Sequence, residues 1–194
     1  MKVINFNQHV FEDFLDKNLS DFMIENDKLL ILGIKEGGIP LAKIVVSYLE
    51  NKYSNSLDFE TIICQRPSTK IKKSNQFKKS ILKTLFQVTP QFILNRIRVL
   101  EHYYLMKNVQ NSYREVIFSD KIDFSHYSKI LIVDDAVDSG NTLKAVLDKV
   151  KENVKNESKI FSLAAVVTNK EACIWPDYTL YSDVLIRFPW SLDG

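Results

Sequence analysis

The chain has 194 residues and a mass of 22.5 kDa, with 45% hydrophobic and 26% charged residues and a formal net charge of +2. That is ordinary globular composition, long enough to bury a core in one domain spanning 1–194. Apolar runs such as Leu29 to Leu32 and Ile130 to Val133 fall far short of the ~18 residues a membrane span needs, so no membrane partner is expected. The N-terminal stretch MKVINFNQHVFEDF has no apolar centre and carries Glu12 and Asp13 early, which argues against a secretory signal and for a cytoplasmic protein.

The elements follow in chain order. LLILGI at 29–34, ETIIC at 60–64 and KILIVDD at 129–135 are short continuous apolar runs, the pattern of strands covered on both faces. Between the first two, IPLAKIVVSYLENKY at 39–53 spaces Leu41, Ile44, Val45, Tyr48 and Leu49 along one helical stripe. After the third, TLKAVLDKVKENV at 142–154 repeats the stripe with Leu143, Val146, Leu147 and Val150, and KIFSLAAVVT at 159–168 is another strand. The alternation is βαβ, which predicts an α/β fold: an open, mainly parallel twisted sheet with helices on both faces. Ligands of such sheets bind beyond the carboxyl ends of the strands.

Residues 65–128 break the alternation. Two amphipathic stretches within 74–110, FKKSILKTLFQV and QFILNRIRVLEHYYLMKNV, read as a helical pair inside this insert. From Thr61 to Leu100 there is no Asp or Glu, against Arg66, Lys70, Lys72, Lys73, Lys78, Lys79, Lys83, Arg96 and Arg98, so the rest of the chain is net negative. Such asymmetry suits an anionic partner, whether a nucleic acid, a phosphorylated small molecule or an acidic surface; it also suits a solvated helix face. Cys64 and Cys173 read as reduced, buried thiols. His9, His102 and His126 have no partners at zinc-ligand spacing.

The segment ILIVDDAVDSGNTL at 130–143 carries the chemistry. A strand delivers Asp134 and Asp135, and a small-residue loop with Ser139, Gly140, Asn141 and Thr142 then opens a helix. Such a loop offers free backbone N–H groups at the positive end of the helix dipole, which is a phosphate cradle. Ser139 and Thr142 can add hydroxyl donors. The two carboxylates repel phosphate, and suit instead the vicinal hydroxyls of a sugar or a hard divalent cation bridging to a second phosphate. A phosphosugar with Mg²⁺ matches these residue types.

This segment resembles the signature of type I phosphoribosyltransferases, which bind 5-phosphoribosyl-1-pyrophosphate. A second match is GIKEGGIPLA at 33–42, where Lys35, Glu36, Gly37 and Gly38 stand in place of the pyrophosphate-binding loop. Glu36 departs from the arginine usual there, so Lys35, Arg66 or Lys70 is expected to supply the missing charge. A third, PDYTLYSDVLIRFPW at 176–190, is similar to the hood of bacterial hypoxanthine and xanthine–guanine phosphoribosyltransferases, placed here at 170–194. There Leu185 and Ile186 take the base-sandwiching positions, with Leu185 replacing an aromatic, and Lys170 takes that of the lysine bonding the 6-oxo group, unless it is a plain solvated lysine. NSYREV at 111–116 contains a Ser-Tyr pair like that of the mobile catalytic loop.

The resemblance implies an enzyme in which a nitrogen acceptor, a 6-oxopurine base, displaces pyrophosphate at C1 of the ribose. It implies Mg²⁺ held by Asp134 and Asp135, and a homodimer. Asp138 would act as general base at the purine nitrogen, its alternative being an Asx turn within its own loop. A second reading from another class is a non-catalytic phosphoribosyl-pyrophosphate sensor that binds nucleic acid through its basic face. A third makes 74–110 chiefly a dimerisation element.

Overall fold

The computed structural model describes residues 1–20, 22, 28–53, 57–65, 95–100, 103–104, 114–118, 122–154 and 158–191. Arg66, Lys70, Ser112, Tyr113 and most of the 74–110 stretch lie outside them.

Among the described residues six strands form the main sheet: β2 (Leu29–Lys35), β3 (Leu57–Gln65), β4 (Glu115–Phe118), β5 (Lys129–Val137), β6 (Lys159–Val167) and β7 (Tyr178–Ser182). Their order is β4-β3-β2-β5-β6-β7, parallel throughout except for the antiparallel edge strand β4. The apolar runs sit at the centre because strands covered on both faces have no solvent side on which to place polar residues. Successive side chains point to opposite faces. Leu29 and Ile31 therefore pack with α1 (Gln8–Leu19) and α2 (Gly38–Lys52), while Leu30, Leu32 and Ile34 pack on the other face with α3 (Asn141–Asn153). The expected stripes are the buried faces: Leu41, Val45 and Leu49 on α2, and Leu143, Val146 and Val150 on α3. α1 starts where the Asn7 side chain accepts a hydrogen bond from the Val10 N–H at 3.3 Å, a cap that supplies one of the acceptors a helix start lacks.

Two features go beyond the sequence reading. Residues 178–182 of the expected hood join the main sheet as β7. The chain then turns at Asp183, whose φ of 60° lies in the left-handed region, one that aspartate tolerates better than most residues. The Asp183 N–H donates to the Val167 carbonyl at 2.9 Å, and the chain leaves the sheet as β8 (Val184–Arg187). β8 pairs in parallel with β1 (Lys2–Asn5) in a separate two-stranded sheet. The segment expected to form the hood is thus paired with the N-terminal strand.

Residues 95–100 are helical, as the apolar spacing of that stretch predicts. Cys64 is half-buried, but Cys173 is exposed rather than buried, because it lies in the turn after β6 instead of within the strand. Among the described residues no helix is long and apolar enough to cross a membrane.

Candidate active site

β2 continues through α2 to β3 on one side, and β5 continues through α3 to β6 on the other. The strand order therefore reverses between β2 and β5, and a crevice opens at their carboxyl ends. Their pairing stops at Gly33 and Val133, and the two signature segments separate there. Even so, they touch. A Cβ on Gly38 would sit 2.5 Å from the Val133 carbonyl oxygen, and one on Gly37 would sit 2.0 Å from an Asp135 carboxylate oxygen. The glycines let the 35–38 loop lie directly on the acidic pair, which larger residues would push apart. Lys35 and Glu36, joined by a cis peptide, stand exposed at the rim.

Asp134 is only 8% exposed. Burial first, and then the negative charge of Asp135, push its carboxyl well above the usual carboxylate range. Burial also raises Asp135, opposed by the indole N–H of Trp190. That N–H is buried without a well-formed hydrogen bond, yet it faces Asp135 closely enough to favour the charged form. Two crowded, desolvated carboxylates gain most from a cation. Among the described residues no three His, Cys, Asp or Glu side chains converge on a metal position. The hard carboxylate oxygens of the pair suit a Mg²⁺ ion completed by water or ligand oxygens.

Beyond β5 the loop tightens at Gly140, whose φ of 80° suits glycine. A Cβ there would lie 2.8 Å from the Ile174 backbone nitrogen. α3 begins at Gly140 with no side-chain cap of its own, the Asn141 N–H donating to Ser139 Oγ at 3.5 Å, and the positive end of the helix dipole faces this loop. A cleft of about 130 Å³ opens there, lined by Asp138, Ser139, Gly140, Thr142 and Arg114. Arg114 Nη1 donates to Thr142 Oγ1 at 2.8 Å, so a guanidinium joins the dipole and the hydroxyls in an anion cradle. Asn141 stands at the first position of this helix, beside Cys173.

A second cleft, of about 270 Å³, adjoins the first and shares Ala136 and Asp138 with it. Leu185, Ile186 and Phe188 form its apolar wall, and Asp135, Asp138, Thr168 and Arg98 its polar one. Thr168, just past β6 and only 3% exposed, donates its hydroxyl hydrogen to Asp138 Oδ1.

The structure therefore brings together Asp134, Asp135, Gly37 and Gly38, and places Ser139, Gly140, Asn141 and Thr142 at the neighbouring helix start. It sets Leu185 and Ile186 across from Asp138. Lys170 is elsewhere: its amine pairs with Asp183 Oδ2 at 3.0 Å, 70% exposed and outside both cleft linings. Sequence reasoning did not single out Arg114, Thr168 or Arg98. The first lies beside the Ser-Tyr pair at 111–116 and the last in the acid-free basic run, so a basic residue near each motif was the available signal.

Among curated proteins no sequence matches the chain. Solved structures do. A purine phosphoribosyltransferase from Pyrococcus horikoshii Ot3 is 15% identical with a TM-score of 0.61, over 98% of this chain and 95% of that one. A xanthine-guanine-hypoxanthine phosphoribosyltransferase from Helicobacter pylori is 16% identical with a TM-score of 0.57, over the same shares. A hypoxanthine phosphoribosyltransferase from Staphylococcus aureus is 11% identical with a TM-score of 0.55, over 91% of this chain and 74% of that one. At these identities the likeness is one of fold. The sequence itself matches the phosphoribosyl transferase domain over residues 8–193, and with the switch-point crevice, the acidic pair and the helix-start cradle in place, the chain belongs to that family.

Proposed function

We propose that the protein transfers the phosphoribosyl group of 5-phosphoribosyl-1-pyrophosphate to a ring nitrogen of a 6-oxopurine. The bond from C1 to the pyrophosphate oxygen breaks, the bond from C1 to nitrogen forms, and the N–H proton passes to Asp138. The observation that carries this reading is the pair of adjoining clefts that share Asp138, one an anion cradle and the other walled by Leu185, Ile186 and Phe188. A general base between a sugar site and a flat apolar slot stands where the proton leaves. The neighbours named for purine, hypoxanthine and xanthine-guanine-hypoxanthine transfer support the acceptor class.

In this reading the 5-phosphate sits against Ser139, Gly140, Asn141, Thr142 and Arg114, and the pyrophosphate against the 35–38 loop. Asp134 and Asp135 take the ribose hydroxyls and hold Mg²⁺. Mg²⁺ held there would supply positive charge against the pyrophosphate. Thr168 fixes the Asp138 carboxylate, so the base does not reorient during transfer. Leu185 and Ile186 stack on the purine and exclude water from the positive charge that builds on the sugar.

The test is nucleotide formation by mass spectrometry with phosphoribosyl pyrophosphate, Mg²⁺ and each of guanine, hypoxanthine, xanthine, adenine, uracil and orotate. Turnover of a 6-oxopurine is the expected result. No product from any base, with phosphoribosyl pyrophosphate bound and salt-dependent affinity for nucleic acid, would overturn it in favour of a sensor.

A further inference from the structure

We infer that Trp190 is a positioning residue for Asp135: an aromatic stack drawn from the 6–11 and 188–190 segments aims its indole N–H at that carboxylate and fixes the way it faces in the crevice. The inference rests on the role proposed above for Asp135 toward the ribose hydroxyls and Mg²⁺.

The rings hold the indole in place. Trp190 stacks on Phe188 with centroids 5.0 Å apart and planes 21° from parallel, and meets Phe6 at 5.4 Å. Phe6 also lies 5.4 Å from Phe188 and 5.7 Å from Phe11, a fully buried residue of α1. The backbone fixes the same arrangement. The Phe6 N–H donates to the Arg187 carbonyl at 2.9 Å, and Ser191 closes the turn that contains Trp190, its N–H donating to the Phe188 carbonyl at 3.0 Å. A large ring packed on two others has little freedom to turn its edge elsewhere.

That edge carries one donor and no acceptor. Nε1 is buried, and among the described residues no well-formed hydrogen bond reaches it. The Asp135 carboxyl, raised by burial, is drawn back by this N–H, so the carboxylate stands at the indole edge. A buried donor left unbonded is costly, and the nearby carboxylate is the acceptor that relieves it.

Asp135 is held from a second direction as well. A Cβ on Gly37 would meet its Oδ2 at 2.0 Å and its Cγ at 2.4 Å, so the 35–38 loop lies directly against the carboxylate. Asp134 accepts the Asp135 N–H through Oδ1 at 3.0 Å and lines the first cleft, whereas Asp135 lines the second. The two adjacent carboxylates thus face different clefts. A carboxylate already fixed by loop and indole gives up less freedom when a cation or a sugar hydroxyl binds it. Ligand and indole share one carboxylate, so each changes the free energy of the other's contact.

The test compares the wild type with Trp190→Phe, which keeps a ring in the stack and removes the N–H. Calorimetric titrations of phosphoribosyl pyrophosphate with and without Mg²⁺ give the factor by which the ion improves affinity. Trp190→Phe should reduce that factor about fivefold or more, while inorganic phosphate, which reads the α3 cradle, should bind within about twofold of wild type. The indole also reports directly. The chain has 2 tryptophans, Trp175 and Trp190, so Trp175→Phe leaves Trp190 as the sole emitter. Its fluorescence should change on saturation with phosphoribosyl pyrophosphate and Mg²⁺, and stay constant with phosphate alone. This readout keeps the indole intact and decides the outcome even where thermal melts show that Trp190→Phe does not fold. An unmoved emission, an unchanged Mg²⁺ factor, or equal losses for phosphate and phosphoribosyl pyrophosphate overturns the inference alone. A wild type whose affinity for phosphoribosyl pyrophosphate does not respond to Mg²⁺ overturns the reading of the acidic pair and the inference with it.

Discussion

Thr168 donates its hydroxyl hydrogen to Asp138 Oδ1, joining the end of β6 to the loop that leaves β5. The two residues directly follow Val137 and Val167, which pair at the ends of neighbouring parallel strands, so the sheet register holds the carboxylate where the two clefts meet. Thr168→Val keeps the side-chain shape and removes the bond. Its kcat should fall about tenfold or more while KM for phosphoribosyl pyrophosphate stays within about twofold. An unchanged kcat would mean that Asp138 is held by other contacts.

Asp134 and Asp135 predict a stability that depends on pH. Both carboxyls are raised in the folded protein, chiefly by burial. Between the ordinary carboxylate value, about 4, and the raised folded values, the native state binds more protons than the unfolded chain, so stability falls as pH rises through that window. Replacing both with Asn removes the charges. The double variant should melt above the wild type at pH 7 to 8, with the difference vanishing as pH falls to about 4. It should also lose Mg²⁺-dependent binding of phosphoribosyl pyrophosphate by calorimetry, and binding at the wild-type level would sink the site.

Gly140 combines a φ of 80° with backbone atoms of Ile174 inside the space of a Cβ. Gly140→Ala should therefore destabilise the fold by about 2 kcal/mol. It should also weaken phosphoribosyl pyrophosphate, since the start of α3 must shift to relieve the contact. Denaturant unfolding and ligand titration on the same preparation check both.

Arg114 distinguishes the two anion sites proposed above. Its bond to Thr142 places it at the helix start, in a cleft whose lining does not include the 35–38 loop. Arg114→Gln should weaken ribose 5-phosphate about tenfold or more. Inorganic pyrophosphate binding should stay near wild type, and equal losses for the two ligands would contradict the assignment.

The central strands were legible in sequence because burial on both faces leaves a continuous apolar run, as in LLILGI and KILIVDD. Helix faces showed through Leu41, Val45 and Leu49, whose spacing follows the turn of the helix. The four-residue strands KVIN, EVIF and VLIR were not legible. Four residues are too few for alternation to stand out, and VLIR, buried at Leu185, Ile186 and Arg187, has no solvent side to mark it. The acidic pair and the cradle were readable because a contiguous segment forms them. Thr168 and Arg114 act through partners 30 and 28 residues away, a relation that no local pattern encodes. Lys170 shows the converse: its place in the sequence suggests a ligand contact, and Asp183, brought near by the left-handed turn, takes its amine instead.

The pairing of β1 with β8 has a consequence for assembly. Strand 2–5 has no partner in its own sheet until 184–187 is present, and the register runs from Lys2 opposite Val184 to Asn5 opposite Arg187. The central sheet can collapse from contacts closer in sequence, whereas this ribbon closes a loop that contains nearly all the chain and should come late in folding. Leu185 and Ile186 sit on that ribbon. On the reading proposed above, the crevice at the carboxyl ends of β2 and β5 would thus take shape before the wall formed by Leu185 and Ile186.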